Sequence, residues 1–294
     1  MRPLVAFGLG ALLLAGCGQG PRDEVVILAP HGMEGQVTAW FEGSGIDVVV
    51  HAGERDEIVA SLINRTERPA ADLLVTAGVG DIWRAAERGA LRPLAGDAVS
   101  AVPGALKDPD RAWVAVGFSP ALIAVAGGLD ASAIRHYADL GSPAAAGRLC
   151  LVSAADPGMR VLIAMLIETF GERKAEDIVR LWVRNLALPP FETQDALFTA
   201  LGSGDCEMAI VFAAVAAGAT RTVYPDVIYF TSPGIGISRH APRPEAAQRA
   251  IDYLVSRFST DDPAQFDGIG TAHIGTAGWL DEDARLLAER AGYR

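Results

Sequence analysis

The chain has 294 residues, of which half are hydrophobic and 21% are charged, and its formal net charge is −11. This length suits two lobes better than one core, and the composition is that of a folded globular protein rather than a disordered one. The acidic balance argues against a nucleic-acid partner, which would require a basic stripe to neutralise phosphates.

The N-terminal residues have the pattern of a bacterial lipoprotein signal peptide. Arg2 supplies a positive charge, and residues 4–14 form an apolar run too short to span a bilayer. The run ends in Leu-Ala-Gly-Cys, which resembles a lipobox. We therefore expect residues 1–16 to be removed, Cys17 to carry the lipid, and residues 17–23 to act as a tether to a membrane. The alternative is a plain signal peptide with an incidental cysteine.

Strand-like and helix-like segments alternate from residue 24 onward. Strands are predicted at residues 25–28, 47–51 and 72–76, and helices at residues 34–42, 57–65 and 79–88. This alternation predicts an α/β fold in which a mostly parallel sheet is flanked by helices.

A long apolar run over residues 113–125 exceeds the length of an ordinary strand and predicts a crossing between two lobes. Later strands are predicted at residues 149–153, 206–212 and 227–231, and helices at residues 157–171, 176–186, 195–201, 244–259 and 281–291. The strand at 227–231 is the expected return crossing. Lobe 1 is therefore predicted to be residues 24–114 plus 227–294, and lobe 2 residues 115–226, joined by hinge strands.

Three cysteines are present, and a lipidated Cys17 leaves Cys150 and Cys206. Both lie in apolar, strand-like runs, and an exported protein can form disulfides. We expect Cys150 and Cys206 to be joined, the alternative being two buried thiols that act as small apolar side chains.

Several stretches occur in an order that is found in a known family. They are the strand and turn that carry His31, and residues 53–58, 69–74, 89–94, 108–114 and 234–242. In this order they resemble the periplasmic substrate-binding proteins of ABC importers, most closely the ferric-iron-binding group. The resemblance implies a type II two-lobed fold and a monomeric lipoprotein. It also implies a periplasmic location and delivery of a small ligand to an ABC permease. The lipobox-like tetrad predicts an anchor in a bacterial membrane, which would be the outer membrane if the cell is Gram-negative.

The resemblance also implies metal ligands. His31 and Glu57 stand where ferric-binding members place an imidazole and a carboxylate on the metal, which suits hard Fe(III). The family's two adjacent tyrosines are missing, because residues 210–218 read IVFAAVAAG. Two readings follow: an iron-type cargo with other ligands, or an apolar, lipid-like ligand that does not feed an iron transporter. No resident cofactor is expected, and a ferric ion or an anion would be the cargo.

Ligands of open α/β sheets bind beyond the carboxyl ends of strands and between lobes. The candidate ligand contacts at such positions are His31, Gly32, Glu57, Thr76, Asp156, Gly158, Arg160, Thr193, Phe212, Ala213 and Ala214. Glu57, Asp156 and Thr193 each have an alternative role at a helix start, where acidic and hydroxyl side chains are favoured. Residues 117–121 form only a partial nucleophile elbow, so no enzymatic activity is expected.

Overall fold

The computed structural model describes residues 24–66, 70–212, 220–258 and 274–294. The predicted signal peptide, the tether with Cys17, and the candidates Ala213 and Ala214 lie outside these residues. Within them, no helix is long and apolar enough to span a bilayer.

The strands, in chain order, are β1 (Val25–Pro30), β2 (Val48–Gly53), β3 (Leu73–Thr76), β4 (Leu91–Arg92), β5 (Val114–Ala115), β6 (Ser119–Pro120), β7 (Leu122–Ala126), β8 (Leu149–Cys150), β9 (Met208–Val211), β10 (Thr220–Val223), β11 (Phe230–Thr231) and β12 (Gly234–Ser238). The α-helices are α1 (Glu34–Trp40), α2 (Arg55–Asn64), α3 (Val79–Glu87), α4 (Asp97–Ala101), α5 (Pro157–Phe170), α6 (Glu172–Asn185), α7 (Gln194–Ser203), α8 (Pro244–Phe258), α9 (Ile274–Trp279) and α10 (Asp281–Ala291). Short 3-10 turns occupy Gly104–Leu106, Tyr137–Gly141 and Pro143–Ala145.

The first lobe is built on a sheet in the order β2-β1-β3-β12-β4, with β5 also paired to β12. All six residues of β1 are buried, as expected for a strand with helices over both faces of its sheet. Strands β1, β2 and β3 are parallel, whereas β12 runs antiparallel to β3, β4 and β5.

The second lobe is built on a sheet in the order β10-β7-β9-β8. Its pairs β7–β10 and β7–β9 are antiparallel, and its pair β8–β9 is parallel. Cys150 at the end of β8 and Cys206 before β9 are joined by a disulfide, with Cα atoms 5.8 Å apart.

Two short strands carry the chain between the lobes. Strands β6 and β11 pair antiparallel, and the ribbon continues through a hydrogen bond from the Val116 N–H to the Pro233 carbonyl at 3.0 Å. The predicted two-lobed α/β fold with hinge strands is therefore confirmed. The expectation of mostly parallel sheets was wrong, because the strands next to the two crossings, β7, β10 and β12, run antiparallel to their neighbours.

The last two helices pack against helices of both lobes. Helix α9 packs against both α3 and α5, and α10 packs against α5 and α6. The segment assigned to lobe 1 from residue 227 onward therefore contacts helices of both lobes. The lobe boundaries themselves stay predictions.

Candidate functional site

A cavity of about 610 Å³ lies where the two lobes and the last helix meet. It lies at the starts of α2, α3 and α5, close to the carboxyl ends of strands, where ligands of open α/β sheets bind. Its walls are mostly charged, and they include Glu54, Arg55, Asp56, Asp81, Arg84, Ser153, Ala155, Arg160, Glu282, Arg285 and Glu289. The cavity therefore suits a polar ligand.

Arg55 links the two lobes across this cavity. Its Nε donates to Asp81 Oδ2 at 3.0 Å, and its Nη1 donates to the Ala155 carbonyl oxygen of lobe 2 at 2.7 Å. Asp81 is only 4% exposed and also accepts a hydrogen bond from Arg84 Nη2 at 2.8 Å. The buried carboxylate thus holds the guanidinium of Arg55 in the position from which it reaches the second lobe.

A second ion pair at this cavity involves Arg160, a predicted ligand contact. Its Nη2 donates to Asp281 Oδ2, and both side chains are mostly buried. The Asp281 carboxylate lies against Gly80 of α3 and leaves no room for a Cβ at that position. Burial raises the pKa of Asp281, while the charge of Arg160 acts to lower it. Arg160 therefore lines the cavity but is already engaged by a carboxylate.

His31 lies on the rim of the first lobe. Its side chain is 59% exposed, with Nδ1 3.7 Å from Glu34 Oε1 and Nε2 4.0 Å from Glu54 Oε1. The pKa of Glu34 is lowered by the N–H of its own backbone and further by Gly32 and His31. Glu57 is exposed and makes no ion pair among the described residues. The structure thus brings Glu34 and Glu54, rather than Glu57, to His31.

Sequence reasoning passed over Glu54 as a candidate. The available signal was its place directly after β2, at the carboxyl end of a strand. The same reasoning selected Glu57, which stands in the first turn of α2 and is exposed. Among the residues that the structure describes, no group of three or more His, Cys, Asp or Glu side chains is arranged to hold a metal ion.

The other first-lobe candidates have backbone roles. Gly32 has a φ of 87°, the left-handed conformation that glycine adopts readily in a turn. Thr76 is 1% exposed, and its hydroxyl donates to the Gly78 carbonyl at 2.8 Å. Both residues shape the loops at strand ends.

In the second lobe, Asp156 caps helix α5. Its Oδ1 accepts the N–H groups of Gly158 at 2.8 Å and Met159 at 3.2 Å, and burial raises its pKa. The ring of Phe212 packs on Gly158, since a Cβ there would stand 2.7 Å from Phe212 Cγ. Thr193 caps α7 by accepting the Ala196 N–H at 3.2 Å.

Gln194 follows Thr193 and has an unusual environment. Its amide oxygen and nitrogen are both buried without a hydrogen-bond partner among the described residues. Buried polar atoms are normally paired, so this amide is an exception among the described residues. Polarity at a helix start was the available signal, but it does not separate this residue from an ordinary first-turn glutamine.

A separate cavity of about 350 Å³ has an apolar lining. It lies in the first lobe beside the hinge and is lined by Ala98, Val102, Leu106, Ala115, Val255 and Phe258 among others. The apolar cavity is therefore separate from the interlobe cavity.

We expect Arg55→Ala to weaken the contact between the lobes by about 1.5–3 kcal/mol, the value of a hydrogen bond that involves a charged group. The substitution removes the bond to the Ala155 carbonyl and one partner of Asp81. Small-angle scattering should show a larger radius of gyration than in the unchanged protein. Arg88→Ala, which alters an exposed arginine after α3, is the control. An unchanged radius in Arg55→Ala would contradict the bridging role.

No family model matches the chain. The iron uptake protein A1 of Synechocystis sp. strain PCC 6803 is 24% identical over 292 aligned residues, which cover 87% of this chain and 79% of that protein. A Trichodesmium protein solved in complex with iron and citrate ligands has a TM-score of 0.74 at 20% identity, covering 92% of this chain and all of the other.

The ferric binding protein from Campylobacter jejuni has a TM-score of 0.79 at 17% identity, again over 92% of this chain and all of the other. At these identities the likeness concerns the backbone, not the side chains of the cleft. The chain therefore has the same two-lobed fold as these iron-associated proteins.

Proposed function

We propose that this protein is the solute-binding component of an ABC-type import system, and that it captures a small polar cargo between its lobes. The observation that carries the proposal is the charged interlobe cavity, which Arg55 spans beside a two-strand hinge. A ligand that bridges two lobes favours the closed form by its higher affinity for that form. The closed, loaded protein would then dock on a permease.

We further propose an exported, periplasmic protein that is anchored by a lipid on Cys17, at the outer membrane in a Gram-negative cell. The signal-like residues 1–16 support export. We propose a monomer without catalytic activity or resident cofactor, in keeping with a carrier whose cargo is its only ligand.

Iron is the first candidate cargo. The Synechocystis relative is an iron uptake protein, and the Trichodesmium relative was solved with iron and citrate. His31 Nδ1 lies 3.7 Å from Glu34 Oε1 and His31 Nε2 lies 4.0 Å from Glu54 Oε1, and carboxylate oxygen suits a hard cation. These three side chains are not arranged as a metal site among the described residues, so they would bind a cation only after they move closer together and with further ligands. The phenolates of a tyrosine pair are missing from residues 210–218, so these rim groups would carry more of the binding.

The alternative cargo, an apolar or lipid-like ligand unconnected with iron transport, has less support. It would require a deep apolar space between the lobes. The interlobe cavity is charged, and the apolar cavity lies within the first lobe.

The decisive experiment is a thermal-shift screen of the full chain against Fe(III), Fe(II), Mn(II), Zn(II), phosphate, citrate and a phospholipid. A ligand that binds only the folded state adds about 2.7 kcal/mol of stability at a concentration 100 times its Kd. We expect a shift with a metal cation, and a loss of affinity of at least about tenfold, or 1.4 kcal/mol, in His31→Ala and Glu54→Ala.

Glu57→Ala is the matched control, because Glu57 is a nearby exposed carboxylate that does not contact His31. A shift with phospholipid alone would refute the metal cargo and favour the apolar alternative. Equal losses in Glu54→Ala and Glu57→Ala would contradict the ligand set proposed from the geometry.

A further inference from the structure

A further cavity, of about 570 Å³, lies between helices α3 and α9. We call it the tryptophan pocket, and its lining residues are Trp83 and Glu87 of α3, Gly275, Thr276 and Trp279 of α9, and Asp108 and Pro109 of the loop before β5. None of these residues lines the interlobe cavity. The tryptophan pocket is therefore a separate place in the molecule, and neither the cargo proposal nor the hinge accounts for it.

Two helices build the pocket from residues spaced four apart, which lie on the same face of a helix. Trp83 and Glu87 have this spacing on α3, and Gly275 and Trp279 have it on α9. The side chain of Trp83 packs on Gly278 and leaves no room for a Cβ there, so α9 approaches α3 closely at this point. Each helix therefore contributes a tryptophan to the same pocket, and α3 adds a carboxylate.

Trp279 is unusually exposed for its size. Its exposed fraction of 69% is the largest among the exposed large hydrophobic side chains of the described residues. Trp40, Trp113 and Trp182 are buried in the core. Single exposed apolar residues are common, but an exposed indole that lines a cavity together with a second indole is a feature of binding sites.

The charge of the tryptophan pocket is negative, and none of its lining residues is basic. Glu87 is exposed and makes no ion pair within the described part of the chain, and it is the last residue of α3, where the helix dipole also favours a cation. Asp108 uses Oδ2 to accept the N–H groups of Asp110 and Ala112 at 3.0 Å each. The neighbouring Lys107 is directed elsewhere, because its Nζ donates to two carbonyl oxygens of α4 at 2.8 and 3.2 Å. The pocket is therefore complementary to a positively charged group.

We infer that the tryptophan pocket is a second binding site, and that it takes a small soluble quaternary ammonium compound. Indole rings attract such cations through the ring quadrupole, and tryptophan does so best among the aromatic side chains. Glu87 and Asp108 balance the charge of the ligand. A metal ion fits less well, because hard cations require several oxygen ligands. The formal net charge of −11 does not favour an anionic membrane surface, so the ammonium group belongs to a free solute rather than to a lipid.

The test titrates choline chloride into the full chain and follows the NMR line width of the choline methyl protons. We expect saturable binding, with a loss of affinity of about tenfold in Trp279→Leu, which keeps an apolar side chain but removes the ring. Glu87→Gln should lose about threefold, the value of one exposed charge. Tyr224→Ala is the matched control, because Tyr224 is another exposed aromatic residue, 59% exposed and outside the pocket. Its affinity for choline should equal that of the unchanged protein.

A second probe separates charge from shape. It is the neutral isostere of choline, in which a carbon atom replaces the nitrogen, and we expect it to bind at least about tenfold more weakly. Equal binding of the two probes, or no saturable binding of choline, would overturn the inference.

Two other occupants of the pocket can be detected directly. Phosphatidylcholine vesicles that displace choline would overturn the assignment to a free solute. Tryptophan emission that changes when the protein alone is diluted would indicate a second copy of the chain on this surface, and would also overturn the inference. The proposed cargo is tested separately, because His31 and Glu54 do not line the tryptophan pocket.

Discussion

Replacing Asp72 by alanine is expected to lower the free energy of unfolding by about 3–5 kcal/mol, the usual cost of breaking a buried ion pair from one side. Asp72 is fully buried in the first lobe, just before β3. Its Oδ2 accepts the Val26 N–H at 2.9 Å and Arg243 Nε at 3.1 Å, and its Oδ1 accepts the Arg243 N–H at 2.7 Å. Alanine would leave two backbone donors and a guanidinium without their acceptor.

The consequence is large because Asp72 connects distant parts of the chain. It lies 46 residues from Val26 and 171 residues from Arg243 in sequence. It therefore links the start of β1 to the segment before α8. Urea unfolding of Asp72→Ala, Arg243→Ala and the double variant gives the coupling energy of the pair. Asp110→Ala, which alters an exposed aspartate in a loop, is the control. A loss below about 1 kcal/mol in Asp72→Ala would contradict the role given to this carboxylate.

Much of the fold could be predicted because its pattern is local. The alternation of short apolar strands with helices is visible in residues 25–88, and the final helix was predicted at its observed bounds, Asp281–Ala291. The long apolar run at 113–125 indicated a crossing, which the structure divides into β5, β6 and β7. Each of these signals depends on neighbouring residues only.

The elements that were not predicted depend on distant contacts. Strand β10 reads Thr-Arg-Thr-Val, with no apolar run, and it forms by pairing with β7, about a hundred residues earlier. Helix α9 contains two glycines and a threonine, which are weak helix formers. It packs between α3 and α5, which are both far from it in sequence, so a short stretch of sequence could not predict it.

Some features of the candidate site could likewise be predicted from local sequence, and others depend on distant contacts. The position of His31 at the end of β1 and the capping preference of Asp156 could be predicted from sequence. The choice between Glu54 and Glu57 depends on where α2 begins relative to the end of β1, which places Glu54 Oε1 4.0 Å from His31 Nε2. The bond from Arg55 to the Ala155 carbonyl joins residues 100 positions apart, so the sequence alone could not indicate it.

The disulfide between Cys150 and Cys206 is expected to stabilise the second lobe by about 2–4 kcal/mol. The bond closes a loop with a sequence separation of 56 residues. In the chain-entropy description, the lost conformational entropy of such a loop raises the free energy of the unfolded chain by about 4 kcal/mol. The loop contains the whole of α5, α6 and α7. Both sulfur atoms lie in the core, but reduction destabilises the lobe mainly by increasing the conformational entropy of this helical segment in the unfolded chain.

Guanidinium unfolding with and without a reducing agent measures this contribution while the sulfur atoms remain in place. The variant that carries both Cys150→Ala and Cys206→Ala should be less stable than the oxidised protein and insensitive to the reducing agent. Any further loss of unfolding free energy in this variant, relative to the reduced protein, measures the packing contribution of the two buried sulfur atoms. The comparison therefore separates the effect of packing from the effect of the cross-link. If reduction changed the free energy of unfolding by less than about 1 kcal/mol, the unfolded lobe would already be compact without the bond, and the helical layer would owe its stability to packing.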